Sequence, residues 1–180
     1  MEKCATSSHR NIVSYYGTSR KVYEAQSNMP RRVEYFILLE HMDTSLISYI
    51  KEHRQINRAI AEKTLFELWL DIARGLDVLH SLAPPIAHRD IKIDNVLILR
   101  NLDGKSVTLK LCDFGSCVDG TPKVCETTKQ INIESELIDR FTTPSYRSPE
   151  MIDLYQRKEL STKVDIWVRS MILYVWSNSQ

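Results

Sequence analysis

Ala87-His-Arg-Asp-Ile-Lys-Ile-Asp-Asn-Val-Leu-Ile98 is the stretch that decides how the rest of the chain is read. Between apolar neighbours it holds a carboxylate (Asp90), an ammonium (Lys92) and an amide (Asn95), at offsets of two and five. Two short β-branched runs follow, 96–99 and 107–112, joined by Asn101-Leu-Asp-Gly-Lys105, in which Asp103-Gly104 is a strong hairpin-turn signal. A hairpin returns the chain to its start, so Asp113 of the next segment, Asp113-Phe-Gly115, is expected near Asn95. Together these residues offer two oxygen ligands for a hard cation, a compact positive charge and a free carboxylate. Mg²⁺ binds through one or two carboxylates plus phosphate oxygens and keeps several waters. An ATP γ-phosphate held by such an ion needs its developing charge neutralised and its acceptor hydroxyl oriented.

Size and composition set the frame. The 180 residues suffice for one domain with a core and are too few for two ordinary ones. Hydrophobic residues at 43% and charged residues at 26% describe a globular chain rather than a disordered one. Basic and acidic side chains nearly cancel, 24 against 23, so charge points neither to nucleic acid nor to an anionic membrane. The longest apolar run, 171–176, is far short of a membrane span, and no basic start leads into an apolar signal segment. Cys4, Cys112, Cys117 and Cys125 show neither paired metal-ligand spacing nor a dense disulfide pattern, so a reducing compartment, cytosolic or nuclear, is the default, and a cytoplasmic location is expected. The five glycines are too scattered for a GxGxxG or Walker loop.

Local patterns predict the elements. β-Branched and aromatic residues from 12 to 24 predict one or two strands interrupted at Gly17. A loop around Pro30 over 26–32 and a strand over 33–40 (VEYFILLE) follow. Asp43-Thr-Ser45 offers an N-cap for a short helix over 45–53. Leu65, Leu68, Trp69, Ile72, Leu76 and Leu79 recur on one face of a helix over 59–82, a core element that Pro84-Pro85 stops. Residues 116–147 are polar, Thr-rich and without sustained periodicity, and read as a long loop with a helical turn near 134–140. Helices are predicted over 149–156, with Pro149 in the first turn, and over 162–176.

His88-Arg-Asp-Ile-Lys-Ile-Asp-Asn95 followed by Asp113-Phe-Gly115 resembles the catalytic loop and metal-binding turn of protein kinases. Thr142-Thr-Pro-Ser-Tyr-Arg-Ser-Pro-Glu150 resembles the end of a kinase activation segment, and Lys163-Val-Asp-Ile-Trp167 the start of the buried helix after it. Singly each motif is weak, since an Asp-Phe-Gly alone is more often a turn after a strand. All four blocks occur in the expected order, and the likeness runs from about His9 to Trp176. KLCDFGS (110–116), TTPSYRSPEMIDLY (142–155) and PPIAHRDIKIDNVLI (84–98) are similar to the Numb-associated and actin-regulating serine/threonine kinases.

The resemblance implies an α+β, two-lobe protein-kinase fold, truncated to the end of the small lobe and the first part of the mainly helical large lobe. Residues 1–42 would be the small-lobe remnant and hinge, and 43–180 an incomplete large lobe with an activation segment over 113–150. ATP and Mg²⁺ are the implied cofactors. The implied partners are protein substrates with Ser/Thr acceptors, among them endocytic adaptors and actin-regulatory proteins. By position, Asp90 orients the substrate hydroxyl or takes its proton, Lys92 screens the transferring phosphoryl group, and Asn95 and Asp113 hold the metal. Leu39 falls at the gatekeeper place, Glu40, His41 and Met42 at the hinge whose backbone meets adenine, and Leu97 beneath the base. His88 and Phe114 would stack in the spine joining the lobes, and Arg89 would meet a phosphate or acid on the activation segment. Thr143 would contact the catalytic loop, and Asp165 would accept hydrogen bonds from its backbone. Cys112 is expected to be a small buried hydrophobe rather than a reactive thiol.

Both ends depart from the family pattern. There is no glycine-rich loop, and no strand precedes Lys3. HRNIVSYYG (9–17) is similar to the segment after the helix whose glutamate pairs with the phosphate-binding lysine, so Glu2 is given no role and the chain reads as starting inside that helix. Beyond Trp167, Arg169 and Ser170 stand where the family has small and apolar residues, and a buried Arg without a partner is costly. Two expectations of different class follow: a piece of an active serine/threonine kinase, or a catalytically dead kinase-like interaction module. The first is favoured, because a non-catalytic module has no physical need for Asp90, Lys92, Asn95 and Asp113 together.

Overall fold

The computed structural model describes residues 9–25, 29–57, 60–102 and 106–177, with side chains to residue 170. Residues 1–8, and with them Lys3 and Glu2, lie outside that set, as do 26–28 of the loop around Pro30 and the Asp103-Gly104 turn. β1 (Tyr15–Tyr23) and β2 (Arg32–Leu39) pair antiparallel. The predicted interruption at Gly17 is a bulge inside one strand: the register slips between Tyr15 and Gly17, whose φ of 157° suits glycine. β3 (Thr44–Ser45) leads into α1 (Leu46–Gln55), and Ser45 is the residue that caps it, its Oγ accepting the Ser48 N–H at 3.3 Å. Asp43 instead accepts the Arg100 N–H at 2.7 Å. α2 (Glu62–His80) buries Leu65, Leu68, Ile72, Leu76 and Leu79, the apolar face read from the sequence. β4 (Ile86–Ala87), β5 (Val96–Arg100), β6 (Val107–Leu111) and β7 (Val118–Asp119) follow. β5 and β6 form the predicted hairpin, with Val96 opposite Leu111, and β3 completes a sheet of order β3-β5-β6. β4 pairs with β7, which joins the chain on either side of that hairpin.

The stretch 116–147 is not the predicted loop. α3 (Thr128–Phe141) occupies fourteen residues of it. Thr127 starts the helix with a capping box, its Oγ1 accepting the Gln130 N–H at 3.3 Å while Gln130 Oε1 accepts the Thr127 N–H at 3.0 Å. Ile131 and Ile138 pack into a second core with Cys125, Met151, Leu154, Leu160 and Val164. The periodic signal was split because Glu134 stands in the buried stripe while Ile133, Leu137 and Phe141 form another stripe that is exposed. α4 (Pro149–Ile152) is also shorter than predicted. Asp153 leaves helical geometry at φ −130° and ψ 88°, and a separate turn, Leu154–Gln156, follows. α5 (Lys163–Ser177) lies within one residue of its predicted bounds at each end. Arg169 does find a partner, an aromatic face rather than an acid: its guanidinium lies 3.6 Å from the Trp69 ring centroid. Ser170 Oγ donates back to Ile166 O at 3.2 Å, an accommodation available to a hydroxyl inside a helix.

The main core packs α1, α2, β5 and β6 around Leu46, Leu68, Ile72, Leu76, Ile98 and Leu109. The segment before β1 runs alongside β6. Asn11 Nδ2 donates to Leu109 O at 2.9 Å, the Leu111 N–H donates to Asn11 O at 2.9 Å, and the Val13 N–H donates to Leu111 O at 3.0 Å. α2 meets the same strand at Gly75, where a Cβ would come 2.8 Å from Asn11 O and 2.9 Å from Leu111 Cδ1. Asn11 is pinned from both sides and cannot easily retreat. Gly75→Ala gains about 1 kcal/mol of helix propensity but crowds a packed interface at about 1–3 kcal/mol. We expect a net loss on the order of 1 kcal/mol in chemical denaturation, and a variant as stable as the parent would show that the Asn11 backbone yields.

Candidate active site

One buried acid holds the 88–95 loop in place. Asp165, fully buried in the first turn of α5, accepts the His88 N–H at Oδ2 (2.8 Å) and the Arg89 N–H at Oδ1 (2.8 Å). His80 Nε2, at the end of α2, lies 2.9 Å from Oδ2. These are the backbone contacts that the kinase resemblance implies for Asp165. Arg89 adopts a left-handed φ of 66° in the process, a conformation that a non-glycine residue keeps only where its surroundings over-determine it.

Asp90 is 7% exposed, and both its oxygens are engaged twice. Oδ1 accepts the Thr143 N–H at 3.0 Å and the Thr143 hydroxyl at 2.7 Å. Oδ2 accepts Asn95 Nδ2 at 3.1 Å and Lys92 Nζ at 2.8 Å. Lys92 Nζ also donates to Thr143 Oγ1 at 2.9 Å, closing a three-residue ring. Burial pushes the Asp90 carboxyl up, but hydrogen bonds from Lys92 and Thr143 outweigh it and hold the group below its ordinary value. The same hydrogen bond raises Lys92.

Asn95 and Asp113 complete the cluster. Asn95 Nδ2 donates to Asp90 O at 2.8 Å as well as to the side chain, which leaves Oδ1 of the amide as an acceptor. The hairpin sets Asn95 against Cys112, whose N–H donates to Asn95 O at 3.0 Å. Asp113, the next residue, is exposed, left-handed at φ 60°, and accepts the Gly115 N–H at 3.3 Å. Its charge acts on both Lys92 and His88. Asp90, Lys92 and Asn95 thus form one bonded cluster at an end of the β5–β6 hairpin, and Asp113 leaves the hairpin at that same end, one residue beyond Cys112. An amide oxygen and an exposed carboxylate suit Mg²⁺. Among the described residues no three His, Cys, Asp or Glu side chains converge, so the rest of such a shell would come from phosphate oxygens and water.

The residues read as the adenine site gather near Lys110, the residue before Leu111 in β6. Leu39 closes β2 at 47% exposure, and Met42 is half-buried just before β3. Glu40 between them is tied down: Oε2 accepts Lys110 Nζ at 2.9 Å and the Ser14 N–H at 3.0 Å, and its own N–H donates to Ser14 O at 2.8 Å. Leu97 stands directly opposite Lys110 in the hairpin and so shares its face of the sheet, the face from which Lys110 reaches Glu40. Sequence reading passed over Lys110. A lysine inside the strand VTLKL is itself a request for a buried acid, and that was the available signal.

Around the cluster, the His88 and Phe114 rings lie 5.4 Å apart, as the spine expectation has it. Burial holds His88 below its ordinary value, so it is neutral, and its contact with Cys112 O at 3.1 Å requires the proton on Nε2. Burial, with the charge of Asp113, pushes the Cys112 thiol up to about 11, so a thiol stands there at neutral pH. Arg89 meets an acid on α3: its guanidinium lies 2.6 Å from Glu134 Oε1, and Lys123 Nζ lies 2.6 Å from Oε2. Glu134 entered the sequence reading only as the start of a helical turn, with no role as the partner of Arg89. Its place between Ile131 and Ile138 in a buried stripe could have found it.

Residues 1–180 match the family model described as the protein kinase domain. This chain belongs to the protein kinase family. The kinase domain is similar to actin-regulating kinase PRK1 of Saccharomyces cerevisiae, 37% identical over 167 residues, which cover 92% of this chain and 19% of that protein. Serine/threonine-protein kinase ppk30 of Schizosaccharomyces pombe is 33% identical over 168 residues, 92% of this chain and 16% of its own length. Serine/threonine-protein kinase AKL1 of S. cerevisiae is 34% identical over 171 residues, 91% of this chain and 14% of its own length. The kinase domain spans less than a quarter of the length of the curated relatives it matches.

Glu134 gives this kinase domain a pH dependence of known sign. Burial raises its carboxyl, but the hydrogen bond from Lys123 and the charge of Arg89 bring it below the ordinary 4.5. A depressed carboxyl contributes stability that is complete above pH 4.5 and is lost as pH falls through the lower folded-state value. Glu134→Gln leaves two cations facing an amide and is expected to cost on the order of 3 kcal/mol at pH 7, a deficit that shrinks in strong acid. Denaturation at pH 7 and pH 3 checks this; a deficit equal at both would dissociate the effect from charge.

Proposed function

We propose that this kinase domain transfers the γ-phosphoryl group of ATP to serine and threonine hydroxyls of proteins. The observation that carries this reading is the Asp90 carboxylate held between Lys92 and Thr143. The substrate oxygen bonds to the γ-phosphorus as the bond to the β–γ bridging oxygen breaks, ADP departs, and the hydroxyl proton passes to Asp90. A carboxyl held below its ordinary value is a weak base at neutral pH, so its first task is to orient the hydroxyl. The proton follows once the oxygen carries the phosphoryl group and has become acidic. Because both Asp90 oxygens are already engaged, a substrate hydroxyl has to displace a donor. Lys92, 24% exposed on a flexible stem, is the donor free to swing, and the movement carries its charge onto the transferring group.

Asn95 and Asp113 would hold magnesium, which when bound neutralises phosphate charge. Leu39 and Leu97 would enclose adenine against the backbone of 40–42, with 1–42 serving as small-lobe and hinge portion and 43–180 as large-lobe portion. Similarity to proteins named actin-regulating kinases supports actin-regulatory proteins as substrates; endocytic adaptors as substrates and a cytoplasmic compartment extend this proposal from the sequence resemblance alone.

In the protein that carries this domain, Asp90→Ala is expected to lower transfer from γ-labelled ATP to a protein substrate by about 10²- to 10⁴-fold while leaving nucleotide affinity intact. Asp113→Ala is expected to lose transfer and magnesium-dependent nucleotide binding together. Parental labelling by both variants would overturn the assignment.

A further inference from the structure

We propose that Arg147 is a positioning residue that couples the C-terminal end of α3 to Asp90 through the Thr142–Thr143 peptide. The inference rests on the kinase reading of Asp90, and it concerns a residue that touches neither Asp90 nor the substrate.

A helix ends with four carbonyls lacking intrahelical donors, and a cation there is favoured by the helix dipole. Arg147 supplies both needs at the end of α3. Its Nη2 donates to Ile138 O at 3.3 Å and to Thr142 O at 3.4 Å, and its Nε donates to Thr142 Oγ1 at 2.8 Å. The Thr142 hydroxyl and N–H in turn donate to Ile138 O at 2.7 and 3.0 Å. Thr142 is therefore held on all sides as it leaves helical geometry at φ −128° and ψ 152°. That departure fixes the next peptide, whose N–H and hydroxyl belong to Thr143 and supply both of the donors on Asp90 Oδ1.

The segment is closed from its other end as well. The Tyr146 N–H donates to Thr143 O at 3.0 Å and the Arg147 N–H donates to Pro144 O at 3.3 Å, so the side chain of Arg147 folds back over the turn that its own backbone completes. The remaining nitrogen, Nη1, pairs with Asp139 at 2.8 Å, but Asp139 is 66% exposed, and an ion pair so open to water contributes little. The side chain of Arg147 is only 15% exposed, and its work is at the covered helix end. Three nitrogens in a rigid plane make these contacts together, which a lysine ammonium on a flexible stem cannot reproduce.

The test is residue-resolved amide hydrogen exchange on the full 180-residue chain and the same variants in the kinase assay. Arg147→Ala is expected to speed exchange at the Thr143 amide by about tenfold or more while amides of β5 and β6 keep parental protection. Arg147→Lys is expected to fall between the two. In transfer assays kcat falls with the KM for ATP unchanged, because the adenine and metal groups are untouched. Parental protection of Thr143 in Arg147→Ala would overturn the proposal, and so would an equal loss across β5 and β6, the mark of general destabilisation. Selective loss at Thr143 in a parent protein that transfers no phosphate would support the coupling and count against the kinase reading alone.

Discussion

The carboxylate of Asp165 is the constraint on which the site depends. It is fully buried, and a buried charge persists only where donors surround it. Two of those donors are consecutive peptide N–H groups, at His88 and Arg89, and the left-handed turn at Arg89 presents them together. Once that turn is set, the His88 ring is buried against Phe114, the Arg89 guanidinium reaches Glu134 on α3, and Asp90 meets Thr143. The acid comes from α5 and His80 from α2, so the loop is fixed by the rigid helices rather than by its own sequence.

Two further buried ionic groups extend this arrangement. Arg89, Glu134 and Lys123 bind α3 and the chain before it to the 88–95 loop, and Glu40 with Lys110 binds the chain after β2 to β6. Ion pairs out of water add little net stability, since desolvation offsets most of their attraction, but breaking one is costly. Their consequence is alignment of segments. The Arg89–Glu134 and Glu40–Lys110 pairs each join residues far apart in the chain, and the first ties the 88–95 loop to α3. Thr143 and Arg147 belong to the same logic: the end of α3 is capped, and the cap aims a peptide at Asp90.

Where a signal was local it was legible. The face of α2, the Ser45 cap, the β5–β6 hairpin and the limits of α5 follow from periodicity, hydroxyl chemistry and turn residues that act over a few positions. The failures share a cause. α3 was hidden because one of its buried positions is an acid, which reads as polar until the cations facing it are known. Arg169 read as a residue without a partner because the Trp69 face it covers lies on another helix, a hundred residues earlier. Lys110 and Arg147 were passed over because long cationic side chains on a sequence are by default taken as solvated.

The family membership and the choice of Asp90, Lys92, Asn95 and Asp113 as the candidate site were set by the sequence alone, because the motifs are contiguous and their order is constrained along one chain. The donors that surround each of those groups were decided only by the tertiary structure. Burial turns an ordinary Glu, Lys or Arg into a demand for a partner of opposite character, and which partner answers depends on distances through space that no local pattern encodes.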